Sequence, residues 1–67
     1  MEVNNKLLGY LERALEHEKE AIELYDELSA KCKEDPHIEE MFLQFSKNEN
    51  WHALAIEEKI KKLSGSD

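Results

Sequence analysis

Two carboxylates and one imidazole stand where paired helices would be expected to bury an apolar stripe. In Glu49-Asn50-Trp51-His52 the end residues are three apart, so on a helix both side chains leave one face, one turn apart, and can reach one ion. The third group is Glu18, a member of the series Leu7, Leu11, Ala14, Glu18, Ala21, Tyr25, Leu28, Cys32, which steps by four and three. The matching series Ile38, Phe42, Phe45, Glu49, His52, Ile56, Ile60, Leu63 is apolar on both sides of its polar pair. Carboxylates on an apolar seam are costly unless protonated, paired or bound to a cation, and no Lys or Arg falls on either seam at that level. A divalent metal ion is the economical partner, and this mixture of oxygen and nitrogen donors suits iron, manganese and zinc alike. Spacing alone is weak evidence, because Glu34 and His37 share it; there Asp35-Pro36 interrupts the helix, so those two side chains are not expected to share a face.

The elements that must position these groups are two helices joined at one break. Asp35 is suited to cap a new helix and Pro36 to its first position, while Ser64-Gly65-Ser66-Asp67 ends it. The expected layout is helix 1 over about 5–33, a turn at about 34–36, helix 2 over about 36–63 and a short tail at 64–67, one helical-hairpin domain across 1–67. With the turn near residue 35, antiparallel helices set residue n beside roughly residue 70 − n, which brings Glu18 to His52. Burial on the seam is expected to raise the carboxylate pKa values and to depress that of His52.

A chain of 67 residues in two helices has too little mass to enclose a large core, so further support is expected from a second copy. One Cys excludes an internal disulfide and a cysteine metal cluster, consistent with a reducing cytoplasm. A net charge of −7 argues against nucleic acid and anionic membrane as partners and favours cations. The start lacks the pattern of an export signal and no stretch approaches a membrane-spanning apolar run.

One hairpin supplies two carboxylates and one imidazole; two supply four and two. Because Glu18 and Glu49 lie near mid-helix, a two-fold axis at their level lets two hairpins overlap along nearly their full length as a four-helix bundle. Four carboxylates then balance two divalent cations, the count of a di-iron carboxylate centre in which two helices each give a Glu and the other two each give Glu-x-x-His.

At this point the chain resembles the ferritin-like superfamily, on the rubrerythrin side, and most closely its short single-hairpin members such as the encapsulated ferritins. The resemblance rests on Glu18-Lys19-Glu20-Ala21-Ile22-Glu23-Leu24-Tyr25, on Cys32-Lys33 before the turn and on Glu49-Asn50-Trp51-His52-Ala53. It implies iron ligands at Glu18, Glu49 and His52, two iron ions per dimer, and oxidation of ferrous iron by dioxygen or peroxide at an intersubunit site. Storage of the ferric product would follow only where an encapsulating shell protein or larger assembly gives it space, which places the protein in the cytoplasm or inside a protein nanocompartment. Glu20 matches an accessory acid of such proteins, whereas His17 and Leu24 depart from the pattern; His17, next to Glu18, is a surface residue or a second accessory metal group.

Tyr25 is read as a packed ring and Cys32 as a small buried hydrophobe. Trp51 is read as interface packing, and with Leu43 or Leu54 it could mark contacts between dimers. Three functions fit: a ferroxidase-type oxidoreductase; a rubrerythrin-like peroxide reductase, which needs a separate electron donor because one Cys cannot build the four-cysteine iron site; and a metal-free homodimeric module.

Overall fold

A computed structural model describes residues 2–65, with side chains from residue 5 onward, so Ser66 and Asp67 of the expected tail lie outside the described residues. The chain forms α1 (Glu2–Lys31) and α2 (Pro36–Ser64), packed side by side as an antiparallel hairpin. Helix 1 thus begins earlier and ends two residues sooner than the pattern suggests. The Cys32 amide bonds to Ser29 O at 3.2 Å and the Asp35 amide to Cys32 O at 3.1 Å, which turns the chain out of the helix.

The start of α2 follows from two residues. Asp35 is extended (φ −124°, ψ 96°), and its Oδ1 accepts the amides of His37 at 3.1 Å and Ile38 at 3.2 Å, donors that the first helical turn leaves without backbone partners. Pro36 has no amide to satisfy at that position. Lys33 reaches across to Glu39 at 3.3 Å and closes the turn. At the far end Gly65 adopts φ 77°, a left-handed conformation that favours glycine, and its amide returns to Lys62 O at 3.4 Å.

The hairpin measures 52 × 17 × 12 Å, a layer one helix thick. Such a layer has only one line of internal contact, and among the described residues no side chain is completely removed from solvent. The line runs through Leu8, Leu11, Leu15, Glu18, Ile22, Tyr25 and Ser29 on α1, and through Phe42, Ser46, Glu49, Ala53, Ile56 and Ile60 on α2. Small residues sit where the helices come closest: Ser29, Ser46 and Ala53 are the buried ones, and Ser29 Oγ bonds back to Asp26 O at 2.8 Å. Between the turn and the mid-point Tyr25, Phe42 and Phe45 form a triangle with ring centroids 5.4 to 6.2 Å apart, contacts of about 0.5–1.5 kcal/mol each beyond their area.

The seam expected from the sequence is therefore corrected by part of a turn. Leu7, Ala14, Ile38, Phe45 and His52, expected on the internal contact, are exposed on one flank, and Leu8, Leu15, Ile22, Ser46 and Ala53 pack in their place. The displaced residues all lie on the same side of the hairpin, with Tyr10, Leu24 and Met41, and give it an apolar front. The opposite flank carries the Lys19–Glu57 ion pair at 4.0 Å.

Replacing the cap is the direct test of how the second helix begins. Asp35→Ala is expected to lower stability by about 1 kcal/mol in chemical denaturation while leaving helix content near that of the parent. An unchanged midpoint would mean that Pro36 and the Lys33–Glu39 bridge fix the helix start without the cap.

Candidate metal centre

Antiparallel packing brings Glu18 and His52 together at mid-length, as the register of the turn predicts. His52 Nδ1 lies 2.8 Å from Glu49 Oε1, one turn away on α2, and 3.4 Å from Glu18 Oε2 across the interface. One donor atom from each of Glu18, Glu49 and His52 can be chosen so that all lie within 4.8 Å of one another, the one cluster of three or more such groups among the described residues. Glu34 and His37, the same spacing across the break, form no cluster of this kind.

The local sequence explains why these groups meet. Glu18 stands on the contact line of α1 between Leu15 and Ile22, and Glu49 on that of α2 between Ser46 and Ala53. The small partners let the helices approach, so the two carboxylates are forced against each other; their side chains are 17% and 23% exposed. His52 sits on the front flank, 62% exposed, and its ring leans back over the carboxylates. Tyr25, Phe45, Asn48, Glu49 and His52 line a cleft of about 250 Å³ that opens on that front. Asn48 was not among the expected site residues, although it lies four before His52 and hence one turn away on the same face, a spacing that would have identified it.

Of the two accessory candidates, neither joins the cluster. Glu20 is exposed and two residues from Glu18, about 200° round the helix, and therefore faces away. His17 is exposed on the front, beside Tyr10, Arg13 and Ala14, and acts only through its charge, which lowers both carboxylate pKa values slightly among larger influences.

Electrostatics show how the metal-free cluster is satisfied. A side-chain hydrogen bond to Glu49, then desolvation, then the neighbouring charge raise the Glu18 pKa. The same bond to Glu18, followed by that from His52, lowers the Glu49 pKa. Of the two, Glu18 therefore keeps a proton to higher pH than Glu49 does. His52 is raised, chiefly by its bond to Glu49, which corrects the expectation that burial would depress it: the ring is mostly in water and faces two carboxylates.

The donor set fits a divalent ion. Ligand atoms about 2.0–2.2 Å from a tetrahedral ion stand about 3.3–3.6 Å apart, so the three groups, within 4.8 Å of one another, need to draw together by at most about 1.5 Å, a distance side-chain rotation supplies. Two carboxylates and an imidazole suit iron, manganese or zinc without distinguishing among them.

Fold and donor set together define a helical hairpin protein of the carboxylate–histidine kind, with its candidate site built between the two helices. Residues 9–67 match the Rubrerythrin family, and the chain belongs to that family, consistent with the ferritin-like resemblance of its motifs. No curated relative and no solved structure shows significant similarity to the chain. No helix among the described residues is long and apolar enough to cross a membrane.

The pKa directions set a pH test on the metal-free protein. His52 has its folded pKa above the unfolded value of 6.5, so its stabilising contribution is complete below pH 6.5 and is lost as pH rises through the folded pKa. Glu18 is likewise raised, so its contribution is complete below pH 4.5 and is lost above that. Glu49 is lowered, so its contribution is present above pH 4.5 and is lost as pH falls through its folded pKa. Thermal midpoints of the metal-free protein should therefore fall as pH rises above about 6.5, and His52→Gln should remove that decline. An equal decline in the variant would locate its cause outside the cluster.

Proposed function

We propose that two copies of this hairpin pair through their apolar fronts and that the shared site binds ferrous iron and oxidises it. The observation that carries the reading is the convergence of Glu18, Glu49 and His52 within 4.8 Å on a face that a single hairpin leaves open. One chain offers three ligating residues and leaves His52 exposed; a second copy across a two-fold axis at this level doubles the set to four carboxylates and two imidazoles and covers the cleft. The apolar front supports the pairing, since Leu7, Tyr10, Leu24, Ile38, Met41 and Phe45 stay 40–56% exposed in the isolated hairpin, so that burying the remainder of each is worth roughly 1 kcal/mol.

Ferrous iron is the substrate in this reading. The carboxylates favour the harder ferric product, and Glu49, bonded to both Glu18 and His52, is best placed to be shared between two ions. Two ferrous ions give up one electron each; the pair reduces one dioxygen, which takes two protons and leaves as hydrogen peroxide. A carboxylate ligates in its ionised form and the Glu18 pKa is raised, so binding weakens as the solution becomes more acidic. A peroxide reductase of the same fold would need electrons from another protein, because the single Cys32 cannot build a four-cysteine iron site.

Ferrous iron added without oxygen is expected to bind at two per dimer, and admitted oxygen to produce ferric absorbance faster than in buffer. Glu18→Ala, Glu49→Ala and His52→Ala should each lose iron, while Glu16→Ala and His37→Ala, which carry the same chemistry outside the cluster, should keep it. Zinc, which takes the same ligands and has no redox chemistry, should occupy the site and inhibit. Wild type that holds iron yet oxidises it no faster than Glu49→Ala would reject the ferroxidase assignment. Equal iron content in all five variants would reject the site itself.

Light scattering at micromolar concentration should show no folded monomer, and a well-folded monomer would remove the shared centre.

A further inference from the structure

Among the described residues nine large apolar side chains are exposed, and the front accounts for six of them. The other three, Leu43, Trp51 and Leu54, lie on α2 away from that front, and Trp51 is the most exposed of the nine at 72%. Trp51 and Leu54 belong to a narrow line, Lys47, Trp51, Leu54, Glu58, whose steps of four, three and four keep it within about 60° of the helix circumference. The line points roughly 140° away from the contact with α1, so it lies outside both the hairpin seam and the front.

The order of residue types on this line is basic, aromatic, aliphatic, acidic. When such a stripe meets its own copy in antiparallel orientation, the two ends exchange charge and the two centres exchange apolar surface. Lys47 meets Glu58 of the second copy in the same register that sets Trp51 on Leu54, because both pairs have the same sum of residue numbers. Each contact occurs twice about the two-fold axis, as an isologous interface requires. Neither Lys47 nor Glu58 has an ion-pair partner among the described residues, and both are exposed. Leu43, on the neighbouring flank of the same helix, extends the apolar part.

We infer that this outer stripe of α2 is a second self-association surface, at which another copy of the chain docks antiparallel with Lys47 on Glu58 and Trp51 on Leu54. It is built from residues other than those of the metal cluster and does not depend on any metal. Taken with the front-to-front pairing of the proposed function, it gives each chain two different two-fold contacts, and repetition of the two joins dimers into a larger closed ring or an open chain.

Charge exchange tests the register. Full-length wild type, Lys47→Glu, Glu58→Lys, the double variant and Trp51→Glu are compared by sedimentation velocity at low ionic strength, where exposed charges are least screened. Circular dichroism verifies that each is helical. Lys47→Glu and Glu58→Lys should each reduce the particle mass at least twofold, because they place like charges opposite each other twice. The double variant should regain the wild-type mass, and Trp51→Glu should not. Iron bound per chain should be equal in all five, since the stripe is turned away from Glu18, Glu49 and His52. Single variants at wild-type mass, or a helical double variant that stays at the mass of the singles, would overturn the interface. Failure of the front-to-front pairing reads differently: the same loss and recovery would then occur on a particle of two chains, which supports the stripe and rejects the shared metal centre.

Discussion

Two helices lying side by side share a single line of contact, and a layer 12 Å thick has two broad surfaces that the described residues leave uncovered. That geometry governs the rest of the molecule. The line itself can hold little: Ser29, Ser46 and Ala53 take its closest points, and larger side chains from both helices spill to one side or the other. Glu18 and Glu49 are the exceptions that chemistry has to explain. Placed on the line among Leu15, Ile22, Ser46 and Ala53, they cannot separate, and their closeness raises the pKa of Glu18 and lowers that of Glu49.

The opposed shifts of Glu18 and Glu49 and the raised His52 describe what a cation would relieve. The carboxylates repel unless something positive lies between them or beside them, and in the single hairpin the bonds of Glu49 to Glu18 and to His52 accordingly raise the pKa of both partners. A divalent ion at the same place would offset that repulsion and would gain two carboxylate oxygens and a ring nitrogen whose positions are already set by helix geometry rather than by loops. Ligands carried on helices move little, and the aromatic triangle of Tyr25, Phe42 and Phe45 braces the interface on the side of the turn. The arrangement is thus preorganised on two sides and open on the third, toward the front.

The hairpin and the cluster were legible in the sequence because both rest on local rules. Asp35-Pro36 marks the helix start, and the i, i+3 spacing of Glu49 and His52 needs only a helix to act. The turn then sets the partner of His52 by distance along the chain, so Glu18 follows from the register without reference to packing. What the sequence misplaced was the rotation of each helix. A chain with two apolar flanks, Leu7 next to Leu8 and Phe45 next to Ser46, offers two adjacent stripes, and periodicity alone favours the one with the larger side chains. Packing favours the other, because close approach of two backbones selects Ser46 and Ala53 over Phe45 and His52. The misassigned set is the apolar front, so the error locates the surface that a single hairpin leaves uncovered. Asn48 escaped notice for a related reason: a neutral side chain beside a metal motif carries no charge signal.

The height of the cluster along the helices constrains the proposed pairing more tightly than the apolar front does. A two-fold axis perpendicular to the helices carries a point at some distance above the axis to the same distance below it, so two copies of a site coincide only when the site lies on the axis itself. Any offset between the site and the middle of the hairpin would slide the partner by twice that offset and leave apolar ends hanging free. Glu18 lies about 1.5 residues, or roughly 2 Å, from the middle of α1, and Glu49 with His52 brackets the middle of α2. A cluster one turn further along would displace the partner by about 11 Å and uncover a stretch at each end of the bundle. At its actual height the turn of a second copy in the proposed pairing would fall, with Ile38 and Met41, over the apolar cleft of Leu7, Tyr10, Leu11 and Leu63 at the open end. Completion of the metal shell and burial of the front therefore demand the same register.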